Sequence, residues 1–233
     1  MNWETYPDYG VLSNRAAEMF LAAILRDPRA VLGLPTGRTP IGMYERAVAA
    51  CGRQYHCFRD VVTFNLDEYA GIERTHPGSY YSFMDQHLFS FTDIDRKNTH
   101  IPNGAANDLD AECARYERDL AAAGGLDVTF LGLGSNGHIA FNEPGTPFDS
   151  RTRVVTLTES TRAANAPLFT DGNVPTHAIT MGIGTIIESK SIVLLASGEK
   201  KRAAIERLRS GEISEDFPAS ALWKHADVTV LTD

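Results

Sequence analysis

Two rhythms of hydrophobic residues run along this chain. Short apolar runs at 30–34, 61–66, 128–133, 191–196 and 228–231, with briefer ones at 153–157 and 178–180, read as strands. A strand covered on both faces needs apolar side chains at nearly every position. Between the runs, apolar residues recur at helical spacing. Over 14–26 they place Ala16, Phe20, Ala23 and Ile24 on one face, with Ser13 as the predicted cap and Asp27-Pro28 as the stop. Further helices are predicted over 41–50, 80–89, 110–123, 160–168, 184–188 and 199–209, and 70–79 is turn-rich. Strands alternating with helices at this spacing predict an α/β fold: one doubly wound, mainly parallel, Rossmann-like sheet with helices on both faces. The sheet is expected to begin near residue 30. No repeat, low-complexity linker or break in composition divides the chain, so residues 1–233 are expected to form a single domain.

Composition narrows the partners. The chain is 43% hydrophobic and 22% charged with a net charge of −8, which suits a globular protein and argues against nucleic acid, whose binding needs a basic face. A small anion remains open, because a few local cations and amides can hold one. No apolar run approaches the ~20 residues of a membrane span. The N-terminus lacks the basic and apolar regions of a signal peptide, so a cytoplasmic location without a membrane partner is expected. The three cysteines, Cys51, Cys57 and Cys113, are odd in number and have no C-x-x-C spacing; free thiols are the expectation.

The candidate chemistry sits where strands end. After the run at 128–133 the chain dissolves into glycines and delivers Asn136, His138 and Glu143 in quick succession. Gly132-x-Gly134-x-x-Gly137 has the letters of a dinucleotide fingerprint, but no helical pattern follows Gly137 and Pro144 soon closes the segment, so no nicotinamide cofactor is expected. Metal ligation by His138 and Glu143 is disfavoured as well, since His56, His76, His87, His100, His177 and His225 form no ligand cluster with them. A proton-transfer pair fits better, with a structural histidine in a tight loop as the alternative. The stretch 35–40 joins a strand to a helix, where backbone amides and the hydroxyls of Thr36 and Thr39 suit a phosphate. A plain helix start, with Thr39 as cap and Pro40 in the first turn, is the competing reading. Asp67 and Glu68 end a strand, as carboxylates for proton abstraction or as a solvated turn or cap. Arg162 and Lys200 follow later strands on the same side; each is a surface cation or part of a phosphate clamp, the latter favoured for Lys200 by the neighbouring Ser197-Gly198.

Together these blocks resemble the glucosamine-6-phosphate deaminases, which convert glucosamine 6-phosphate and water to fructose 6-phosphate and ammonia. The resemblance rests on Leu34-Pro-Thr-Gly-x-Thr-Pro40, Phe64-Asn-Leu-Asp-Glu-Tyr-Ala-Gly71, His76-Pro-Gly-Ser-Tyr-Tyr-Ser-Phe-Met84, Gly137-His-Ile-Ala-Phe-Asn-Glu-Pro144 and Ser150-Arg-Thr-Arg153, and runs nearly end to end. It implies a sugar phosphate as the partner and no cofactor. It also implies that His138, helped by Glu143 and the side chain at 136, opens the sugar ring, and that Asp67 moves a proton between C2 and C1 through a cis-enolamine. The phosphate would lie on the amides of Gly37, Arg38 and Thr39 with Arg162 and Lys200; Gly137 would contact substrate and Tyr80 would cover the sugar. Two positions depart from the family pattern: Asn136 stands where some members have aspartate, and Arg38 where glycine is common. The resemblance leaves the oligomeric state open. It predicts hyperbolic kinetics, because Arg153 is retained from the activator site of the allosteric members while Val155 stands where a lysine is expected. Two rival functions are a related-fold 6-phosphogluconolactonase, expected to lack the Asp67 and Asn142-Glu143-Pro144 combination, and a sugar-phosphate sensor without turnover.

Overall fold

Seven strands lie parallel in one sheet in the computed structural model, which describes residues 1–51, 57–169 and 172–233. In chain order the elements are β1 (Asn2–Thr5), α1 (Tyr9–Arg26), β2 (Val31–Leu34), α2 (Ile41–Cys51), β3 (Val62–Asn65), β4 (Asp67–Tyr69), α3 (Tyr80–His87), β5 (Thr99–His100) and α4 (Leu109–Ala122). They continue with β6 (Val128–Gly132), β7 (Arg153–Thr156), α5 (Glu159–Asn165), β8 (His177–Thr180), α6 (Ile183–Ile187), β9 (Ser191–Ala196), α7 (Arg202–Arg209) and β10 (Val228–Thr232). The main sheet runs β1-β10-β9-β6-β2-β3-β5, and a second, antiparallel sheet runs β4-β8-β7.

Period-two alternation explains why the central strands are apolar throughout. Leu32, Leu34, Phe130, Val193 and Leu195 enter one core with Phe20 of α1 and Tyr44 of α2. Their neighbours Val31, Leu131, Ile192 and Leu194 enter the other with Tyr116 and Leu120 of α4 and Leu208 of α7. Both faces are thus covered, as the doubly wound reading requires.

The structure differs from the sequence reading at several points. The sheet begins at β1, not near residue 30: Asn2–Thr5 pairs with Thr229–Thr232 of β10, and Arg209 lies 4.5 Å over the Trp3 ring. Helix α1 starts earlier than predicted because the Asp8 side chain accepts from the Val11 amide at 2.9 Å. Ser13, the predicted cap, is instead buried inside the helix. The predicted helices over 80–89 and 160–168 end in 3₁₀ turns at Phe89–Phe91 and Ala166–Leu168. Cys51 and Cys57, expected as free thiols, form a disulfide with Cα atoms 6.0 Å apart. Among the described residues, no helix is long and apolar enough to cross a membrane.

Candidate active site

Strands β2 and β6 are neighbours, yet β2 leads outward to β3 and β5 while β6 leads the other way to β9 and β10. Diverging connections open a crevice beyond the carboxyl ends of such strands. A cleft of about 850 Å³ lies there, lined by residues from the 35–40 loop, Asp67, Tyr80, the loop after β6, the start of α5 and the loop after β9. A second groove of about 750 Å³, beside Arg15, Asp127 and Lys190, contains none of the predicted site residues.

The loop after β6 builds a directed hydrogen-bond chain. Asn136 Nδ2 donates to Glu143 Oε2 at 2.7 Å, and Asn136 Oδ1 lies 2.7 Å from His138 Nδ1. A carboxylate only accepts, so the amide nitrogen must face Glu143 and the amide oxygen must face the imidazole. His138 therefore carries its proton on Nδ1, leaving Nε2 as the proton acceptor. Burial lowers the His138 pKa; Glu143 raises it again in part, at 3.7 Å, and Lys201 lowers it. The loop geometry is specific. A Cβ on Gly134 would lie 2.4 Å from the His138 ring, so the imidazole packs where only glycine leaves room. Ala140 holds φ at 50°, a left-handed conformation that is costly for a residue with a Cβ. The turn is held by Asn142, whose Nδ2 donates to the carbonyls of Ile139 and Met181 at 3.0 and 2.8 Å.

The two adjacent carboxylates lie in different surroundings. Glu68, 3% exposed, accepts from the amides of Tyr69, Tyr80 and Tyr81 and so fixes the start of α3. Burial pushes its carboxyl up to about 7, with those amides pulling the other way. Asp67, 5% exposed, faces the cleft. Among the described residues no hydrogen bond engages its carboxylate. Burial, and secondarily the charge of Glu68, push its pKa well up. That makes it a strong base for a carboxylate. Tyr80 forms cleft wall, its ring stacked at 5.9 Å on Phe141 and its hydroxyl 3.4 Å from that of Tyr69.

On the other side stands the 35–40 loop. Gly37 takes φ of 94°, Arg38 has no positive φ, and both residues border the cleft. Tyr9 pins the loop from below: its hydroxyl lies within 3.2 Å of the Arg38 carbonyl and 3.0 Å of the Thr39 carbonyl, and accepts from the Gly42 amide at 2.8 Å. Lys201 is half-buried, and burial together with Arg38 lowers its pKa. Its neighbour Lys200 is exposed, although it also borders the cleft. The loop carrying both is anchored by Asp233, which accepts from Ser197 Oγ at 2.6 Å and from the Gly198 amide at 2.8 Å.

The sequence model of the family described as glucosamine-6-phosphate isomerases/6-phosphogluconolactonase matches residues 10–231. The chain belongs to this family. Within it, a glucosamine-6-phosphate deaminase of Lysinibacillus sphaericus is 53% identical, covering 99% of this chain and 98% of the relative. Glucosamine-6-phosphate deaminase 1 of Bacillus subtilis is 49% identical over 100% of this chain and 96% of its own length. A solved monomeric glucosamine-6-phosphate deaminase superposes with a TM-score of 0.96 at 49% identity, covering 100% of this chain and 97% of that one. The 6-phosphogluconolactonase of Thermotoga maritima shares the fold at a TM-score of 0.78 but only 20% identity, with 99% and 98% covered.

The family cleft gathers Thr36, Gly37, Arg38, Thr39, Asp67, Tyr80, Asn136 and His138, with Glu143 reached through Asn136 and Gly137 in the same loop. Gly137 faces away from it: a Cβ there would strike the Phe217 ring, and its carbonyl accepts from the Ala219 amide at 2.9 Å. Arg162 is not brought to the cleft either. Its Nη2 donates to the Val174 carbonyl at 3.4 Å, and its Nε is buried without a partner among the described residues. Sequence reasoning missed Lys201, which only the phase of the turn after β9 distinguishes from Lys200. It missed Thr161 too, whose hydroxyl donates to Glu143 Oε1 at 2.7 Å. Among the described residues no group of three His, Cys, Asp or Glu side chains could hold a metal ion; His56 lies outside them.

Proposed function

We propose that this protein is a glucosamine-6-phosphate deaminase acting in amino-sugar catabolism, converting glucosamine 6-phosphate and water to fructose 6-phosphate and ammonia. The observation that carries this reading is the pairing, across one cleft, of a buried carboxylate with raised proton affinity (Asp67) and an imidazole held as its Nδ1–H tautomer (His138). Such a pair suits one proton transfer at oxygen and another at carbon. Full-length identity to relatives bearing this activity supports the same reading.

In this mechanism the phosphate rests against the amides of the 36–39 loop, with Lys201 supplying the compensating charge and Lys200 outside the contact. His138 Nε2 takes the proton from the anomeric hydroxyl and returns one to the ring oxygen, which opens the pyranose. The free aldehyde acidifies the C2–H bond. Asp67 removes that proton while O1 takes up one from solvent, giving a cis-enolamine, and delivers it to C1 as the nitrogen gives up one proton to solvent, leaving an imine at C2. Water adds to C2 and ammonia departs, leaving the C2 carbonyl of fructose 6-phosphate.

The lactonase relatives make a hydrolase of 6-phosphogluconolactone the competing reading. Parallel assays decide between them. Ammonia release from glucosamine 6-phosphate without lactone hydrolysis is expected; the reverse result would overturn the proposal.

A further inference from the structure

Glu143 is the fixed point of the hydrogen-bond chain, and what fixes it lies outside the loop after β6. Its Oε2 accepts from Asn136, while its Oε1 accepts from the Thr161 hydroxyl of α5 at 2.7 Å. Thr161 is itself oriented. Thr158, the cap of α5, donates its hydroxyl to Thr161 Oγ1 at 2.9 Å and accepts from the Thr161 amide at 3.2 Å. The Thr161 proton is thereby directed onto the carboxylate. No lysine or arginine among the described residues pairs with Glu143, so these two bonds and the more distant His138 ring set its position.

We propose that Thr161 is a positioning residue for His138: by holding Glu143 it keeps Asn136 in the amide orientation that leaves the proton on Nδ1 and the lone pair on Nε2. This deepens the deaminase reading above and rests on it for its kinetic consequences. A flipped Asn136 would set its carbonyl oxygen against Glu143 Oε2 at 2.7 Å, two acceptors in contact, so the flip is blocked while Glu143 stays in place. Freed from Thr161, the carboxylate can turn toward His138 Nδ1, now 3.7 Å from Oε2. Asn136 then loses the acceptor that dictates its orientation. A reversed amide would present N–H to Nδ1, drive the proton to Nε2 and remove the base. Direct contact with the carboxylate would instead favour the imidazolium, with the same loss of base near neutral pH. Thr161 itself lines the cleft, with Ser160 and Ala164 of the same short helix, so substrate lying against α5 bears on the element that sets the His138 tautomer.

The test compares Thr161→Val, which keeps the shape and deletes the hydroxyl, with Thr161→Ser, which keeps the hydroxyl. For Thr161→Val the expected result is a kcat lower by about 10-fold, the size of one lost hydrogen bond to a charged group, with KM within about three-fold. The acid limb of the pH profile and the NMR titration of the His138 ring should both move, to higher pH where the carboxylate meets Nδ1 and to lower pH where the reversed amide donates to it. Thr161→Ser should match the wild type in all four. A kcat of Thr161→Val within about three-fold of wild type, a loss confined to KM, an unmoved His138 titration, or a serine variant as impaired as the valine one would each overturn the proposal. The NMR titration needs no turnover. A wild-type protein that releases no ammonia would therefore refute the deaminase reading, while the shift of His138 would still decide the role of Thr161.

Discussion

Replacing Asn136 by Asp tests whether the neutral amide sets the working pH of His138. The amide oxygen lies 2.7 Å from Nδ1, and Asn136 is exposed while the His138 side chain is about one-third exposed. At ~4 Å a unit charge interacts with an imidazolium by about 1 kcal/mol in bulk water and about 4 kcal/mol at a protein surface. At ~1.4 kcal/mol per pH unit, the acid limb of kcat/KM should move up by roughly one to three pH units. The sign follows from the role. An anion favours protonated His138, the base must be neutral, and so activity is lost on the acid side. The new carboxylate also meets Glu143 where the amide now donates at 2.7 Å. The crowded pair takes up a proton more readily, but imidazole, at ~6.5 against ~3.9 for an aspartyl group, is the stronger base and takes it first. Ammonia release measured from pH 5 to 9 gives the profile. Because the substrate phosphate titrates near pH 6 as well, NMR titration of the free enzyme isolates the imidazole. A limb that stays put or moves to lower pH, with a matching titration, would refute the assignment of Asn136 and His138.

Asp67→Asn should lower kcat by about 10²–10⁴-fold with KM within a few-fold, since the carboxylate serves proton transfer and not the phosphate; residual turnover above a tenth of wild type would exclude it as the base. Lys201→Ala should raise KM about 10- to 150-fold, the range of a lost charge-assisted contact, while Lys200→Ala should leave KM within about two-fold. Equal effects at the two lysines would show that the phosphate is held differently. Ala140→Gly relieves a φ of 50°. With ~1–2 kcal/mol of left-handed strain removed and ~0.5–1 kcal/mol of chain entropy added, it should stabilise the protein by about 0.5–1 kcal/mol in urea unfolding, and a loss of stability would show that the turn depends on the Ala140 methyl.

Much of the fold was legible because its signals are local. The central strands are buried on both faces and so are apolar at nearly every position, and helix ends carry Pro, Asp or Gly. What escaped has its cause elsewhere in the chain. Asn2–Thr5 contains no apolar run; it is a strand because β10, more than two hundred residues away, offers it an edge. β4 is three residues long, and nothing in Asp67-Glu68-Tyr69 announces pairing with β8. Ser13 and Asp8 are both chemically fit to cap α1. The choice fell to the earlier residue, where Ser13 is swallowed by packing against α2.

The site divides along the same line, and Arg153 shows why. From sequence it reads as a remnant of an activator site or as a surface or strand-edge cation. In the fold it is half-buried on β7, and its Nη1 donates to Asn142 Oδ1 at 2.8 Å. Asn142 spends its amide nitrogen on the Ile139 and Met181 carbonyls, so its oxygen needs a donor, and Arg153 is that donor. The arginine thus braces the turn between His138 and Glu143 without touching the cleft. Spacing along the chain can nominate residues that carry chemistry, because their types are few and their loops follow strands. It cannot nominate residues such as Arg153, Thr161 and Tyr9, whose task is to satisfy one polar atom of another element. That task exists only once the strands have brought the two elements together.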